Sequence, residues 1–152
     1  MKVIIVTGTP GTGKTTFAKK FAKEKKYKYI DVNDVIEKNK LKERYDRKRK
    51  TYIVDEKKLS RILEKAIKDA SKEGKDKGLV IDSHLSHYIN PKYVDLCIVT
   101  KCNLKELARR LKKKGYSKNK IDENLQCEIF DVCLIDAKER GHRIKIVQTD
   151  RK

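Results

Sequence analysis

Residues 8–16 read Gly8-Thr9-Pro10-Gly11-Thr12-Gly13-Lys14-Thr15-Thr16 and follow the apolar run Val3-Ile4-Ile5-Val6. This is a complete G-x-x-x-x-G-K-[ST] element in the setting that gives it meaning. A short β-branched run reads as a buried parallel strand. Phe17-Ala18-Lys19-Lys20-Phe21-Ala22 has helical spacing. The loop therefore joins a strand to a helix N-terminus, where unpaired N–H groups and the positive end of the helix dipole face an anion. The three glycines let the backbone curl without Cβ clashes. Lys14 offers a charge to outer phosphates and the Thr15 hydroxyl a ligand to Mg²⁺.

The chain has 152 residues and no Pro/Gly/Ser-rich linker or internal repeat, so a single domain spanning 1–152 is expected. No apolar stretch approaches the ~20 residues needed to span a membrane. The N-terminus runs straight into the first strand, so no signal peptide and a cytoplasmic, soluble protein are expected. Lys and Arg number 40 against 22 Asp and Glu, a formal net charge of +18. That excess admits two readings. One is a polyanionic partner such as RNA. The other is a heat-adapted surface, with which the single Met1 and the two glutamines, Gln126 and Gln148, agree. Cys97, Cys102, Cys127 and Cys133 form no C-x-x-C pair and the histidines lack zinc spacing. Buried free thiols are expected.

Strand and helix signals alternate, which argues for an α/β fold with a parallel sheet. Strands are expected at about 2–7, 29–32, 78–82, 94–99 and 144–147. Residues 38–50 are basic and show no periodicity. Asp55 opens a helix with Leu59, Ile62, Leu63, Ala66, Ile67 and Ala70 on one face. Asn103 opens another that Gly115 breaks. From Ser117 a single long helix is expected, carrying Ile121, Leu125, Ile129, Val132 and Ala137.

Asp82 closes the run Leu79-Val80-Ile81. A strand-end carboxylate beside a P-loop holds Mg²⁺ through water, or else caps its own loop. His84, two residues on, is within reach of a terminal phosphate or a water beside it. His87, before Pro91, reads as a surface-loop histidine. The basic hinge from Lys113 to Lys120, with Arg109 and Arg110 one turn earlier, is either a cationic lid over the phosphates or a solvated turn. Residues 31–54 are candidates for a phosphoryl acceptor, through Asp31, Asn33 and Asp34 and the forked donors of Arg44, Arg47 and Arg49. The same loop would suit RNA phosphates. No N-K-x-D element is present, which argues against a GTPase, and the chain is short for multi-lobed ATPase motors.

Together these segments resemble the nucleoside monophosphate kinases, and within them the small adenylate kinase isoenzyme 6 family. The resemblance covers nearly the whole chain. It rests on residues 8–16, on Tyr29-Ile30-Asp31-Val32-Asn33-Asp34, on Tyr45-Asp46 with Ile53-Val54-Asp55, and on Val80-Ile81-Asp82-Ser83-His84. It rests most specifically on Arg110-Leu111, Gly115-Tyr116-Ser117, Ile121, Glu123-Asn124 and Gln126-Cys127-Glu128-Ile129-Phe130. It implies a P-loop NTPase three-layer fold whose five parallel strands lie in the order 2-3-1-4-5. An acceptor segment near 31–54 and a lid near 113–123 are implied too. So are ATP as phosphoryl donor with Mg²⁺, AMP or another monophosphate as acceptor, and an intrinsic ATPase activity. A part in small-subunit ribosomal RNA maturation, with a ribosomal protein as partner, follows from the same resemblance. Carried onto matching positions, Gly11, Gly13, Lys14, Thr15 and Thr16 bind ATP, Lys114 and Arg110 serve the lid, and Asp82 and His84 form the D-x-H pair. Lys114 stands where the family commonly has Arg, so the charge is kept without the planar fork.

Overall fold

The computed structural model describes residues 1–47 and 51–150. Its main sheet is built on β1 (Lys2–Gly8), with β2 (Lys28–Asp31), β5 (Gly78–Asp82), β6 (Leu96–Lys101) and β7 (Ile144–Gln148) in the order β2-β5-β1-β6-β7, all parallel. Counting only these five strands, this is the 2-3-1-4-5 order that the resemblance implies. Two further strands, β3 (Lys42–Asp46) and β4 (Thr51–Val54), pair with each other in an antiparallel hairpin. Sequence reading left this basic segment unassigned. Four of the five β3 residues, Lys42, Glu43, Arg44 and Asp46, are charged, so no alternation marks β3 as strand, and β4 is only four residues long. Lys48, Arg49 and Lys50 lie outside the described residues, so the expectation for Arg49 does too.

Period-two alternation sorts the core into two layers. Val3 and Ile5 of β1, Leu79 and Ile81 of β5, and Cys97 and Val99 of β6 face one side. There α2 (Val32–Lys38), α3 (Glu56–Glu73) and α6 (Val132–Glu139) cover them with Val32, Ile36, Leu59, Leu63, Ile67, Leu134 and Ala137. Ile4, Val6, Val80 and Ile98 face the other side, under α1 (Lys14–Lys25). Ala18 and Ala22, four residues apart on α1, let that helix lie close on the strands. A third, smaller cluster of Cys102, Leu107 and Leu111 seats α4 (Leu104–Lys113) against Tyr116, Ile121 and Leu125 of the following turn and α5 (Lys118–Ile129).

Helix starts follow capping chemistry. Asp31, Asp55, Asn103 and Ser117 each accept a backbone N–H with the side chain at the openings of α2, α3, α4 and α5. Asp31 therefore ends β2 and caps α2, so Val32, expected as the last residue of a strand over 29–32, opens the helix. The single long helix expected from Ser117 is two helices. Asp131 takes a left-handed conformation, φ 52°, between α5 and α6. Its carboxylate there pairs with Lys101, a partner that only the fold supplies. Cys97 and Cys102 are buried free thiols as expected, whereas Cys127 and Cys133 are only half-buried.

Glu128 ties the last turn of α5 to the sheet. Its carboxylate, 6% exposed, accepts the Cys102 N–H at 2.8 Å, the Lys101 ammonium at 2.7 Å and the Thr9 hydroxyl at 3.2 Å. Glu128→Ala would leave the buried Cys102 N–H without an acceptor and Lys101 with only Asp131 and the backbone carbonyl of residue 128. A loss of about 2–3 kcal/mol is expected. It should appear as a lower urea midpoint at unchanged slope; an unshifted midpoint would contradict this reading of the carboxylate.

Candidate active site

The loop between β1 and α1 is shaped by hydrogen bonds within itself and to Thr100 and Thr149. The Thr12 hydroxyl donates to the Thr9 carbonyl at 2.6 Å and lies 2.8 Å from the Thr100 hydroxyl. The Thr149 hydroxyl reaches the Thr12 carbonyl at 2.5 Å. Gly13, at φ 88°, opens α1 in a left-handed conformation that a side chain would strain. A Cβ on Gly11 would stand 2.7 Å from a Leu111 methyl, so glycine lets α4 pack against the loop. Unlike the four capped helices, α1 has no side-chain cap, and its first turn carries no acidic residue. Its first N–H groups are left facing outward for an anion.

Lys14 stands in this cradle with its ammonium 3.4 Å from the Thr9 carbonyl. Burial lowers its pKa from 10.5 to about 8, and the nearby Asp82 and Glu128 carboxylates only partly oppose that. The Thr15 hydroxyl donates to Asp82 Oδ2 at 2.8 Å. Asp82 is nearly buried, 4% exposed, at the end of β5. A hydroxyl and a carboxylate are hard oxygen donors, and Mg²⁺ takes few protein ligands because it keeps waters and phosphate oxygens. Thr15 and Asp82 therefore fit that ion. Among the described residues no cluster of three or more His, Cys, Asp or Glu offers a closed metal cage instead.

The loop separates two cavities. A cleft of about 600 Å³ is lined by Thr9, Pro10, Gly11, Lys14 and Thr15 on the loop and by Asp82, Ser83 and His84 after β5. Asp31, Asn33, Lys114, Tyr116, Lys120 and Glu123 also line it. Its wall runs past the expected lid, 113–123, to Asn124, Cys127, Val132, Cys133 and Asp136. On the opposite side of the loop lies a cavity of about 710 Å³, lined by Gly11, Gly13, Thr16, Phe17, Lys20 and Arg109. Arg110, Lys113, Lys114, Val147, Gln148 and Thr149 complete it. Lys114 and Gly11 border both. A third cavity, about 530 Å³, opens beside His84 and is lined by Asn33, Ile36, Glu37, Lys42, Asp46, Ile53, Val54, Glu56 and Leu85.

The structure thus brings together Gly11, Lys14, Thr15, Asp31, Asn33, Asp82, His84 and Lys114, with Gly13, Thr16 and Arg110 across the loop. Arg110 is already engaged by Glu106 and the Thr149 hydroxyl, both at 3.1 Å. Asp34 and Arg44 are exposed and line none of the three cavities. Hydrophilic loops carry many charges, and spacing alone does not say which turn inward. His84 is open to solvent, but the surrounding protein and then the Lys14 charge hold its pKa well below the ordinary value. It is a neutral imidazole at pH 7. The surface-loop reading of His87 is corrected. That ring is 3% exposed, its Nδ1 is 2.9 Å from the Thr7 hydroxyl, and burial lowers its pKa to about 4.

Sequence reading also missed Tyr29, whose hydroxyl donates to Asp82 Oδ2 at 2.7 Å. Alternation could have found it. Tyr29 and Asp31 share a face of β2, as Val80 and Asp82 share a face of β5, and Asp31 is the register partner of Asp82. Phe17, Val147 and Thr149 were missed because only the sheet order brings the end of β7 beside the start of α1.

The placement of Lys14 predicts its titration. The amine should lose its proton near pH 8 in the free protein, and its midpoint should rise when tripolyphosphate occupies the loop. Between pH 8 and 10.5 the unfolded chain holds the proton that the folded chain has released. Stability of the free protein should therefore rise with pH across that window. Carbon NMR of labelled lysine, assigned with Lys14→Arg, reads the midpoint directly; a value at 10.5 would contradict the crowded placement.

Comparisons with known proteins agree with this geometry. A family model described as "AAA domain" matches residues 4–131. A Methanocaldococcus jannaschii protein named "Putative adenylate kinase" is 37% identical over 97% of this chain and 78% of its own. The adenylate kinase isoenzyme 6 homolog of Schizosaccharomyces pombe is 38% identical over 90% of this chain and 74% of its own. In structure the chain is similar to deoxyadenosine kinase from M. mycoides, with a TM-score of 0.54 at 15% identity over 99% of this chain and 92% of that one. That likeness is one of fold. No helix among the described residues is long and apolar enough to cross a membrane. With the loop, the five-strand order and these relatives in agreement, the chain belongs to the AAA-domain family of P-loop proteins and, among named proteins, to the adenylate kinases of the isoenzyme 6 kind.

Proposed function

We propose that this chain transfers the terminal phosphoryl group of ATP to AMP or another nucleoside monophosphate, with Mg²⁺ bound to the donor. The observation that carries this reading is the loop itself: an uncapped helix start holding Lys14, set as the shared wall between two cavities. One cavity suits the base and ribose of the donor. The other suits its outer phosphates and the incoming acceptor.

In this reading the N–H groups around Gly11, Gly13, Lys14, Thr15 and Thr16 grip the donor phosphates. Thr15 and, through water, Asp82 would hold Mg²⁺, which would supply charge neutralisation at the outer phosphates. Lys14 regains its proton beside those phosphates and stabilises the charge spread over the moving group. Lys114, on the border of both cavities, does the same from the lid side. Arg110 acts through the base-side cavity wall. Asp31 and Asn33 face the acceptor, and Asp34 and Arg44 serve it from outside the cavities. Glu37, Asp46 and Glu56 line the cavity beside His84, where carboxylates suit the amino group of an adenine better than a phosphate. The acceptor base is accordingly placed there, with its phosphate toward Lys14.

One observation favours an accompanying ATPase activity: the neutral, solvent-open imidazole of His84 in the same cleft as Lys14. Such a ring can accept a hydrogen bond from water and aim it at the terminal phosphate. Ribosomal partners, a small-subunit protein or rRNA, rest on the family resemblance. The net charge of +18 supports a polyanion among them.

The test is ADP formation from labelled ATP, alone and with AMP. Lys14→Ala should lower transfer by roughly 10²–10³-fold, and wild-type turnover in that variant would sink the proposal. His84→Ala should suppress hydrolysis more than transfer to AMP; equal losses would remove the water-orienting role.

A further inference from the structure

We propose that Tyr29 is a positioning residue for the metal-side carboxylate, holding Asp82 from beneath the cleft so that one oxygen serves the protein and the other serves the hydrated ion on the nucleotide. The inference rests on the kinase reading above and extends it to a residue that touches no substrate.

The hydroxyls of Thr15 and Tyr29 converge on one oxygen, Asp82 Oδ2, at 2.8 and 2.7 Å. They arrive from different elements. Thr15 belongs to the first turn of α1, and Tyr29 to the edge strand β2 beside β5. Two donors on one oxygen fix the rotation of the carboxylate and leave Oδ1 as its remaining acceptor. Thr15 cannot do this alone, because its own oxygen is the metal ligand. A shift of α1 would move the ligand and the carboxylate's anchor together. Tyr29 anchors the carboxylate to the sheet instead.

The tyrosine is built for that task. Its ring packs in the α1-side layer with Phe17, Phe21 and Tyr27, and the Lys19 ammonium lies 5.7 Å from its centroid. It does not line the cleft. A phenol carries its proton at neutral pH, so the hydroxyl is a donor to the carboxylate. Partners that orient a metal-bound group typically change metal affinity by ~10–100-fold when removed. A tyrosine needed only for packing would find some acceptor for its hydroxyl, yet would leave the metal indifferent to its loss.

Tyr29→Phe keeps the ring and removes only the donor. The probe is Mn²⁺ bound together with ADP, followed by electron paramagnetic resonance, beside calorimetry of ADP binding in EDTA. Tyr29→Phe should weaken Mn²⁺ by about tenfold while metal-free ADP binds as to wild type. Asp82→Asn should weaken Mn²⁺ as well, and adding Tyr29→Phe to it should cost nothing further. Unchanged Mn²⁺ affinity in Tyr29→Phe overturns the proposal. So does an equal loss of metal-free ADP binding, which would mark a structural role. Failure of the wild-type protein to bind Mn²⁺ with ADP would bring down the kinase reading and this inference with it.

Discussion

Strand β1 is paired in parallel on both sides, and everything in the site depends on that. Val6 is the register partner of Asp82 on one side, and Gly8 of Thr100 on the other. The chain leaves β1 where its two neighbours begin to part, the position at which open parallel sheets bind ligands. The strand is buried from Val3 onward, so a slip of one residue would turn Val3 and Ile5 toward the layer packed by Ile4 and Val6. Two apolar layers therefore hold the register. The register in turn places a carboxylate and a threonine on either flank of the loop. The chemistry is fixed by hydrophobic alternation that is indifferent to chemistry.

Charge in the site is arranged against the trend of the chain. A protein carrying +18 overall nonetheless buries Glu128 at the base of its loop and keeps Asp82 at the cleft floor. Removing Lys14 from water makes its charge costly in the free protein, and a polyphosphate in the cradle relieves that cost. His84 stays neutral for the same reason that Lys14 is poised: both share a crowded cleft with a cation nearby. Of the carboxylates at the loop, Asp82 accepts two hydroxyls and Glu128 is engaged by Lys101, the Cys102 N–H and the Thr9 hydroxyl.

Much of this was legible in the residues. The loop, the five main strands and the capped helix starts at Asp55, Asn103 and Ser117 follow from periodicity, capping and motif spacing, whereas the pairing of Asp82 with His84 comes from the family resemblance. The misses share a cause. Strand β3 has no alternating apolar face, because four of its five residues are charged, and β4 is too short to show a period. The break at Asp131 is concealed by apolar spacing that continues through Val132 and Ala137; it depends on Lys101, thirty residues earlier in the chain, to hold the carboxylate. Tyr29 and His87 both read as ordinary residues because their partners, Asp82 and Thr7, come from distant strands. Local pattern reports what a segment buries. It does not report which neighbour the fold will bring to a polar tip.

The Glu128 linkage makes the two ends of α5 unequal. Its last turn is fastened to Thr9 of the loop, to Lys101 at the end of β6 and to Cys102 just after it. Its first turn starts from Ser117 after Gly115, which has φ 81° and nothing within 4 Å of where a Cβ would stand. Lys120, on that first turn, borders the cleft together with Lys114 and Tyr116 of the preceding turn, and Tyr116 and Ile121 pack there on Cys102, Leu107 and Leu111. Of the cations bordering the cleft, Lys120 is thus carried on α5, whose far end is bonded to the loop through Glu128 and Thr9, whereas Lys114 stands at the end of α4.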